Sequence, residues 1–146
     1  MSEPLKIVLT SGLTIIGGVV VFTCGQLIER FFIEPADELA RLIGEIGDSL
    51  AFYSNRYTSP GVGSPEAMEE ASRVLRQRAT QLRARAQAVR GHELWQAVGI
   101  LPGPESVTEA SRGLVHLSNS IQKGQSELNT QTAERIRELL RISESA

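Results

Sequence analysis

An uncharged tract at residues 7–28 limits the possible folds of this chain more than any other part of the sequence. Its 22 residues, 12 of which are Leu, Ile, Val or Phe, are bounded by Lys6 and Glu29. A helix that rises about 1.5 Å per residue would extend this tract over about 33 Å, close to the roughly 30 Å hydrocarbon core of a bilayer. The insertion free energy of the large apolar side chains exceeds the cost of the few polar ones. The tract is therefore predicted to be a transmembrane helix.

Three other interpretations of the tract fit the sequence less well. A cleaved secretory signal has a shorter apolar region and a small-x-small cleavage pattern, which is missing here. A lipoprotein signal would use Cys24, but Phe22 and Thr23 stand where such sites have small residues. A helix buried inside a soluble bundle seldom needs so long an uncharged run. A membrane span is the favoured interpretation.

Small residues recur every seven positions in the tract, in two adjacent series. Small side chains let helices approach closely in lipid, so this face predicts self-association of the span. The alternative is that glycine is simply frequent in membrane helices. The predicted packing residues are Thr10, Ser11, Thr14, Gly17, Gly18, Cys24 and Gly25.

Basic residues near the tract predict its orientation. Lys6 precedes the tract, whereas Arg30 and Arg41 follow it, so the positive-inside rule favours a cytoplasmic carboxyl-terminal part. The single cysteine excludes an intrachain disulfide, and the sequence contains no Asn-x-Ser/Thr acceptor for glycosylation. Both observations agree with a cytoplasmic domain on a single-pass anchor.

The remainder of the chain is predicted to be an up-and-down helical bundle, which makes the protein all-α. No stretch alternates with the period of two that is typical of a half-buried strand, and most connections are short. The predicted organisation is an anchor at residues 1–34, a bundle at 35–142 with a flexible loop at 54–64, and a frayed tail at 143–146. Pro35 is expected to stop or kink the first helix, because proline disfavours a helical residue before it.

Capping residues predict where the bundle helices begin and end. Ser64 before Pro65 begins a helix that extends to Arg90 and ends at Gly91, and a short helix follows around Leu94 and Trp95. Ser106 with Glu109 resembles a capping box, and the last helix is predicted over 126–142. The predicted apolar faces are Leu39, Leu42, Ile43, Ile46, Leu50 and Tyr53; Met68, Leu75, Ala79, Leu82, Ala86 and Val89; Val107, Ala110, Leu114, Leu117 and Ile121; and Leu128, Thr132, Ile136, Leu139 and Leu140.

Six arginines and no acid lie between residues 73 and 90, and five of the arginines flank the apolar face of their helix. The acids of the preceding helix, such as Glu45, are predicted to project away from them. Anionic lipid or a neighbouring protomer is therefore the expected partner. Nucleic acid is disfavoured because no aromatic residue is interleaved for stacking. The alternative to any partner is that the arginine stems cover the apolar face and keep their charged heads in water. The five candidate contact residues are Arg76, Arg78, Arg83, Arg85 and Arg90.

The sequence gives no pattern for catalysis or for a cofactor. His92 and His116 are its only histidines, and neither has the spacing of a hydrolase or zinc protease motif; one cysteine cannot build a soft metal site. The chain is therefore expected not to be an enzyme and to bind no metal or cofactor. The predicted function is a membrane-anchored interaction or scaffold protein that forms homo-oligomers. The alternative is an oligomeric pore-forming or membrane-perturbing effector of a toxin or defence type.

Overall fold

A computed structural model describes residues 3–143, and this part of the chain consists of helices and turns without a strand. The prediction of an all-α protein with one long apolar helix before a helical bundle is confirmed. The predicted frayed tail lies outside the described residues except for Ser143. The helices are α1 (Glu3–Ile28), a π-helical turn (Glu29–Ile33), α2 (Glu34–Phe52), α3 (Ser54–Thr58), α4 (Pro65–Ala88), α5 (His92–Ala97), α6 (Pro104–Ser120) and α7 (Ser126–Leu140).

α1 and α2 form one uninterrupted helix, Glu3–Phe52, so of the predicted stop or kink before Pro35 the stop is wrong. Proline has no backbone N–H and crowds the preceding helical turn. Here that turn is π-helical: the Glu34 N–H bonds to the Glu29 carbonyl, five residues back, and the chain continues through Pro35 into α2. The candidate anchor is therefore joined to the bundle by a helix.

The core lies among α2, α4, α6 and α7, whose apolar faces were mostly predicted correctly. Leu39 and Ile46 of α2, Leu82 of α4 and Leu114 of α6 are fully buried. Leu128 of α7 was predicted on the apolar face but is about half exposed; Asn129 and Ala133 are buried instead. The first half of the apolar face of α7 is thus offset by one residue from the prediction, whereas Ile136 and Leu140 are buried as predicted.

Side-chain contacts establish the antiparallel order of the central helices. Ion pairs join Glu45 to Arg78 and Glu38 to Arg85, so residue numbers rise along α2 as they fall along α4. The same reversal holds between α4 and α6: the Ser111 hydroxyl donates to the Ala79 carbonyl at 3.0 Å, and the Ser72 hydroxyl donates to the Ser118 carbonyl at 2.6 Å. The arrangement is that of an up-and-down bundle.

The segment 54–64 was predicted to be a flexible loop, but its first part is the short helix α3. Tyr57 is buried, and its hydroxyl donates to the Leu50 carbonyl at 2.8 Å. The Asn129 amide of α7 donates to the Tyr57 carbonyl at 2.9 Å. One buried aromatic residue therefore holds this polar segment against the core, and the prediction is wrong for α3.

Helix termini follow the predicted caps in part. The Ser64 hydroxyl accepts the Ala67 N–H at 3.3 Å, as expected, and Gly91 adopts a left-handed conformation with φ of 64° after α4. α6 begins at Pro104 after Gly103, without a side-chain cap, so the capping box at Ser106 and Glu109 is wrong. Proline at the first helical position needs no N–H partner, which explains the earlier start.

Substitution of Tyr57 by phenylalanine tests the buried hydroxyl. The change removes one hydrogen bond and leaves the Leu50 carbonyl without this partner, so the free energy of unfolding should fall by about 1 kcal/mol at neutral pH. Burial raises the pKa of Tyr57, an effect that nearby Arg137 partly opposes. The folded state favours the neutral hydroxyl. The stabilising contribution of this hydroxyl to the free energy of unfolding is therefore complete below about pH 10 and is lost as the pH rises through the raised pKa.

Denaturant unfolding followed by circular dichroism at neutral and strongly alkaline pH measures both effects. Wild-type protein should lose more stability at alkaline pH than Tyr57→Phe does. Parallel pH dependences for the two proteins would show that the tyrosine hydroxyl is not buried as described.

Candidate membrane-facing and interaction surfaces

α1 has no buried residue in the described chain, and its large apolar side chains are uncovered. Leu13 and Val21 remain 72% and 73% exposed, whereas the core residues of α2 are inaccessible. It is the one helix among the described residues that is long and apolar enough to cross a membrane. The alternative of a helix buried inside this chain's own bundle therefore does not fit.

The predicted small-residue face lies on this uncovered helix. A Cβ atom added at Gly17, Gly18 or Gly25 would meet no other atom within 4 Å. The hydroxyls of Thr10 and Thr14 donate to the carbonyls four residues back, at 2.8 and 2.9 Å, so their polar groups are satisfied within the helix. This face has no steric or hydrogen-bonding obstacle to packing against a second helix.

Aromatic residues mark the junction between α1 and the bundle. The Arg90 guanidinium carbon lies 5.0 Å from the centre of the Phe31 ring, a cation–π contact between the π-helical turn and the end of α4. Phe31, Phe32 and Ile33 are each about two-fifths exposed. Aromatic side chains at the end of an apolar tract are typical of the membrane interface.

Two of the five candidate arginines pair with acids inside the bundle. Arg78 contacts Glu45 and Arg85 contacts Glu38, each at 2.5 Å. The prediction that Glu45 is poorly placed to neutralise these arginines is therefore wrong, because Glu38 and Glu45 each directly precede a buried residue and lie at the edge of α2 that meets α4. These half-exposed pairs contribute only about 0 to 1 kcal/mol each. Arg78 and Arg85 thus have partners within the chain.

Of the other three candidate arginines, Arg76 and Arg83 lie on the opposite flank of α4 and Arg90 lies just beyond its end. Arg76 donates to the Asn119 side-chain oxygen at 2.7 Å, and Arg90 stacks on Phe31. Arg83 is exposed and lines a groove of about 600 Å³ between α4 and α6, together with Arg112. The hydroxyls in that groove already donate to backbone carbonyls: the Thr80 hydroxyl to the Arg76 carbonyl and the Ser111 hydroxyl to the Ala79 carbonyl. The groove is cationic and has no activated nucleophile.

A second exposed apolar set lies in α5 and the turn after it. Leu94, Val98 and Ile100 are 64%, 58% and 55% exposed, whereas the adjacent Leu101 is completely buried. A nitrogen of His92 lies 2.8 Å from the Pro102 carbonyl and closes the segment on itself. The sequence predicted the short helix but not its exposed surface. The pair Leu94 and Val98, four residues apart on one helix face, could have indicated that surface.

The described residues contain no candidate metal site. Among residues 3–143, no group of three or more His, Cys, Asp or Glu side chains is placed so that it could hold a metal ion. His116 lines a shallow groove between α6 and α7 beside Arg112. The predicted arginine and small-residue surfaces are therefore the candidates for function.

Comparison with known proteins adds no assignment to these surfaces. No family model, curated protein or solved structure matches the chain. Function is consequently inferred from the exposed helix, its junction with the bundle and the exposed apolar side chains of α5.

Proposed function

We propose that this chain is a single-pass membrane protein that holds a small helical bundle at the membrane surface and acts as an interaction or scaffold module. The observation that carries the proposal is the contrast along one helix. Residues of α1 are uncovered and apolar, whereas the same helix continues as α2 into the core of the bundle. In lipid, the uncovered apolar side chains of α1 avoid the free-energy cost of contact with water.

The helical connection suits positioning rather than loose tethering. The π-helical turn and α2 follow α1 without a linker, and Arg90 of α4 contacts the turn through Phe31. A rigid junction fixes the height of the bundle above the membrane. Arg30 and Arg41 follow the span, so the bundle is proposed to face the cytoplasm.

Self-association through the small-residue face of α1 is part of this proposal. Gly18→Leu should weaken the oligomer at least about tenfold, equivalent to about 1.4 kcal/mol, because the new side chain prevents close approach of two helices. The matched control is Gly12→Leu, since Gly12 also has open space around it but points to the other side of α1. Energy transfer between labelled copies in liposomes measures the association.

Equal association of the two glycine variants would contradict the assignment of this face. It would leave the anchor itself in place, because both variants keep α1 apolar. The contact face would then have to be sought elsewhere on the protein.

A pore or membrane-perturbing effector is the second candidate function. It is favoured by the same face, where Thr10 and Thr14 precede three glycines and several helices could gather. Liposomes that contain a trapped dye distinguish the two functions. Dye release by wild-type protein, lost in Gly18→Leu, would support the pore; intact liposomes with a stable dimer would support the scaffold.

A further inference from the structure

We propose that the membrane-proximal cap, residues 91–103, docks into the interfacial region of the bilayer by inserting Leu94, Val98 and Ile100. The proposal rests on the proposed function, because it requires α1 to span that bilayer. It adds a second contact with lipid, formed by the bundle itself. The occupant of this exposed apolar surface is the lipid interface rather than a protein.

The register of α2 on α4 places the cap at the base of the span. Glu45 pairs with Arg78 and Glu38 with Arg85. A step of seven residues toward the amino end of α2 therefore matches a step of seven residues toward the carboxyl end of α4. Continuing this register brings the end of α4 to the π-helical turn. The contact of Arg90 with Phe31 confirms that level.

The level of Phe31 lies inside the interfacial zone. Phe31 is three residues beyond Ile28, the last residue of the uncharged tract, which corresponds to about 4 to 5 Å along the helix. The interfacial zone on each side of the hydrocarbon core is about 5 to 7 Å thick. α5 begins two residues after Arg90, so its exposed side chains start from this height.

The register of α6 on α4 shows that the cap forms this end of the bundle. Ser111 bonds to Ala79 and Ser72 to Ser118, which places Pro104, the first residue of α6, near the level of Ala86. Residues 91–103 therefore connect the membrane-proximal ends of α4 and α6. The connections at 59–64 and 121–125 meet at the opposite end, where the Gly61 N–H bonds to the Ile121 carbonyl.

The cap is held rigidly and still exposes its apolar side chains. Leu101 is completely buried, Pro102 and Gly103 are buried, and the His92 ring contacts the Pro102 carbonyl. The backbone N–H groups of Ile100 and Leu101 also bond to the Trp95 carbonyl, so the turn is anchored while Leu94, Val98 and Ile100 remain exposed. Exposed apolar side chains that are grouped and fixed are typical of an interaction surface.

The charges around the junction favour an apolar rather than an electrostatic attachment. The groove beside the π-helical turn is lined by four acids, Glu29, Glu34, Asp37 and Glu38, and by two bases, Arg30 and Arg41. This excess of acids gives no net attraction to anionic headgroups. The cap should therefore dock on neutral phosphatidylcholine.

The chain's single tryptophan, Trp95, lies in α5 and reports on the cap without a label. Full-length protein is placed in phosphatidylcholine liposomes that contain lipids brominated near the headgroup, and flotation is measured in the same sample. We expect wild-type protein to float and its tryptophan fluorescence to be strongly quenched. A triple variant, Leu94→Gln, Val98→Gln and Ile100→Gln, should float equally but lose at least half of the quenching.

The matched control replaces exposed apolar residues away from the junction: Phe52→Gln, Val62→Gln and Leu128→Gln. It should keep wild-type quenching. Circular dichroism of both triple variants verifies that exposed substitutions leave the bundle folded. Floating wild-type protein without quenching would overturn the docking, as would equal quenching of the cap variant and the control.

Failure of the anchor gives a different result. Wild-type protein that does not float would refute the span and, with it, the docking. If floating protein is unquenched and Val98→Cys in a Cys24→Ser background cross-links two copies, the cap contacts a second protomer and the lipid proposal is wrong.

Discussion

Replacement of Ile16 and Val20 with arginine is expected to release the full-length protein from membranes. Both residues lie in the middle of α1 and are more than half exposed. An arginine at the centre of a spanning helix costs about 2.5 to 3.5 kcal/mol, whereas each large apolar residue contributes only about 0.3 to 0.6 kcal/mol. Two arginines therefore cancel most or all of the roughly 3 to 6 kcal/mol supplied by the ten remaining large apolar side chains of the tract.

Flotation and alkaline extraction of membranes measure the effect. Wild-type protein should remain with the lipid, and the double variant should move to the soluble or aggregated fraction. The matched control is Val62→Arg with Leu128→Arg, which adds the same two charges at exposed apolar positions of the bundle. Release of the control as well, or retention of the α1 variant, would contradict the assignment of α1 as the span.

The apolar faces of the bundle could be predicted because the spacing of apolar residues along each helix indicates which face is buried. Leu39 and Ile46 lie seven residues apart on one face of α2, as Val107 and Leu114 do on α6, and burial of these faces packs the helices together. The offset in the first half of α7 was missed because Asn129 is polar. It is buried through a hydrogen bond to the Tyr57 carbonyl, a partner that lies 72 residues away.

The arginine contacts could not be predicted from one helix at a time. Whether Arg78 meets Glu45 depends on how α2 and α4 are rotated against each other, and long side chains reach partners at the edge of a packed face. A helical wheel of α2 gives the direction of Glu45 but not the position of α4. Only the packed bundle determines which arginines have a partner.

Of the candidate membrane surfaces, one could be predicted from local sequence and the other depends on tertiary contacts. α1 and its small residues are local features of sequence, so they were predicted with their positions. The cap was not, because Leu94, Val98 and Ile100 acquire a meaning only when the register of α2 on α4 brings them to the end of the uncharged tract. Tertiary contacts thus supply the height of a surface above the membrane, which a sequence pattern does not contain.

Leu114→Ala is expected to lower the melting temperature of the bundle strongly while α1 remains helical in detergent. Leu114 is completely buried in the core, and truncation of such a side chain costs about 2 to 5 kcal/mol, a large share of the roughly 5 to 15 kcal/mol that stabilises a domain. The backbone hydrogen bonds of α1 are internal to that helix, and none of its described residues is buried in the core. Thermal unfolding should therefore end at a partial circular dichroism signal.

Leu128→Ala is the matched control, because it makes the same substitution on a helix residue that is about half exposed. Its melting temperature should stay near that of wild-type protein, while the Leu114 variant melts well below it. Trp95 packs against the core, so its fluorescence should change together with the bundle transition and not with the residual helix. Equal melting of the two variants would show that α6 does not contribute the core face. A complete loss of helical signal would show that α1 depends on the bundle for its helical structure. An independently stable membrane span would stay helical after the bundle unfolds.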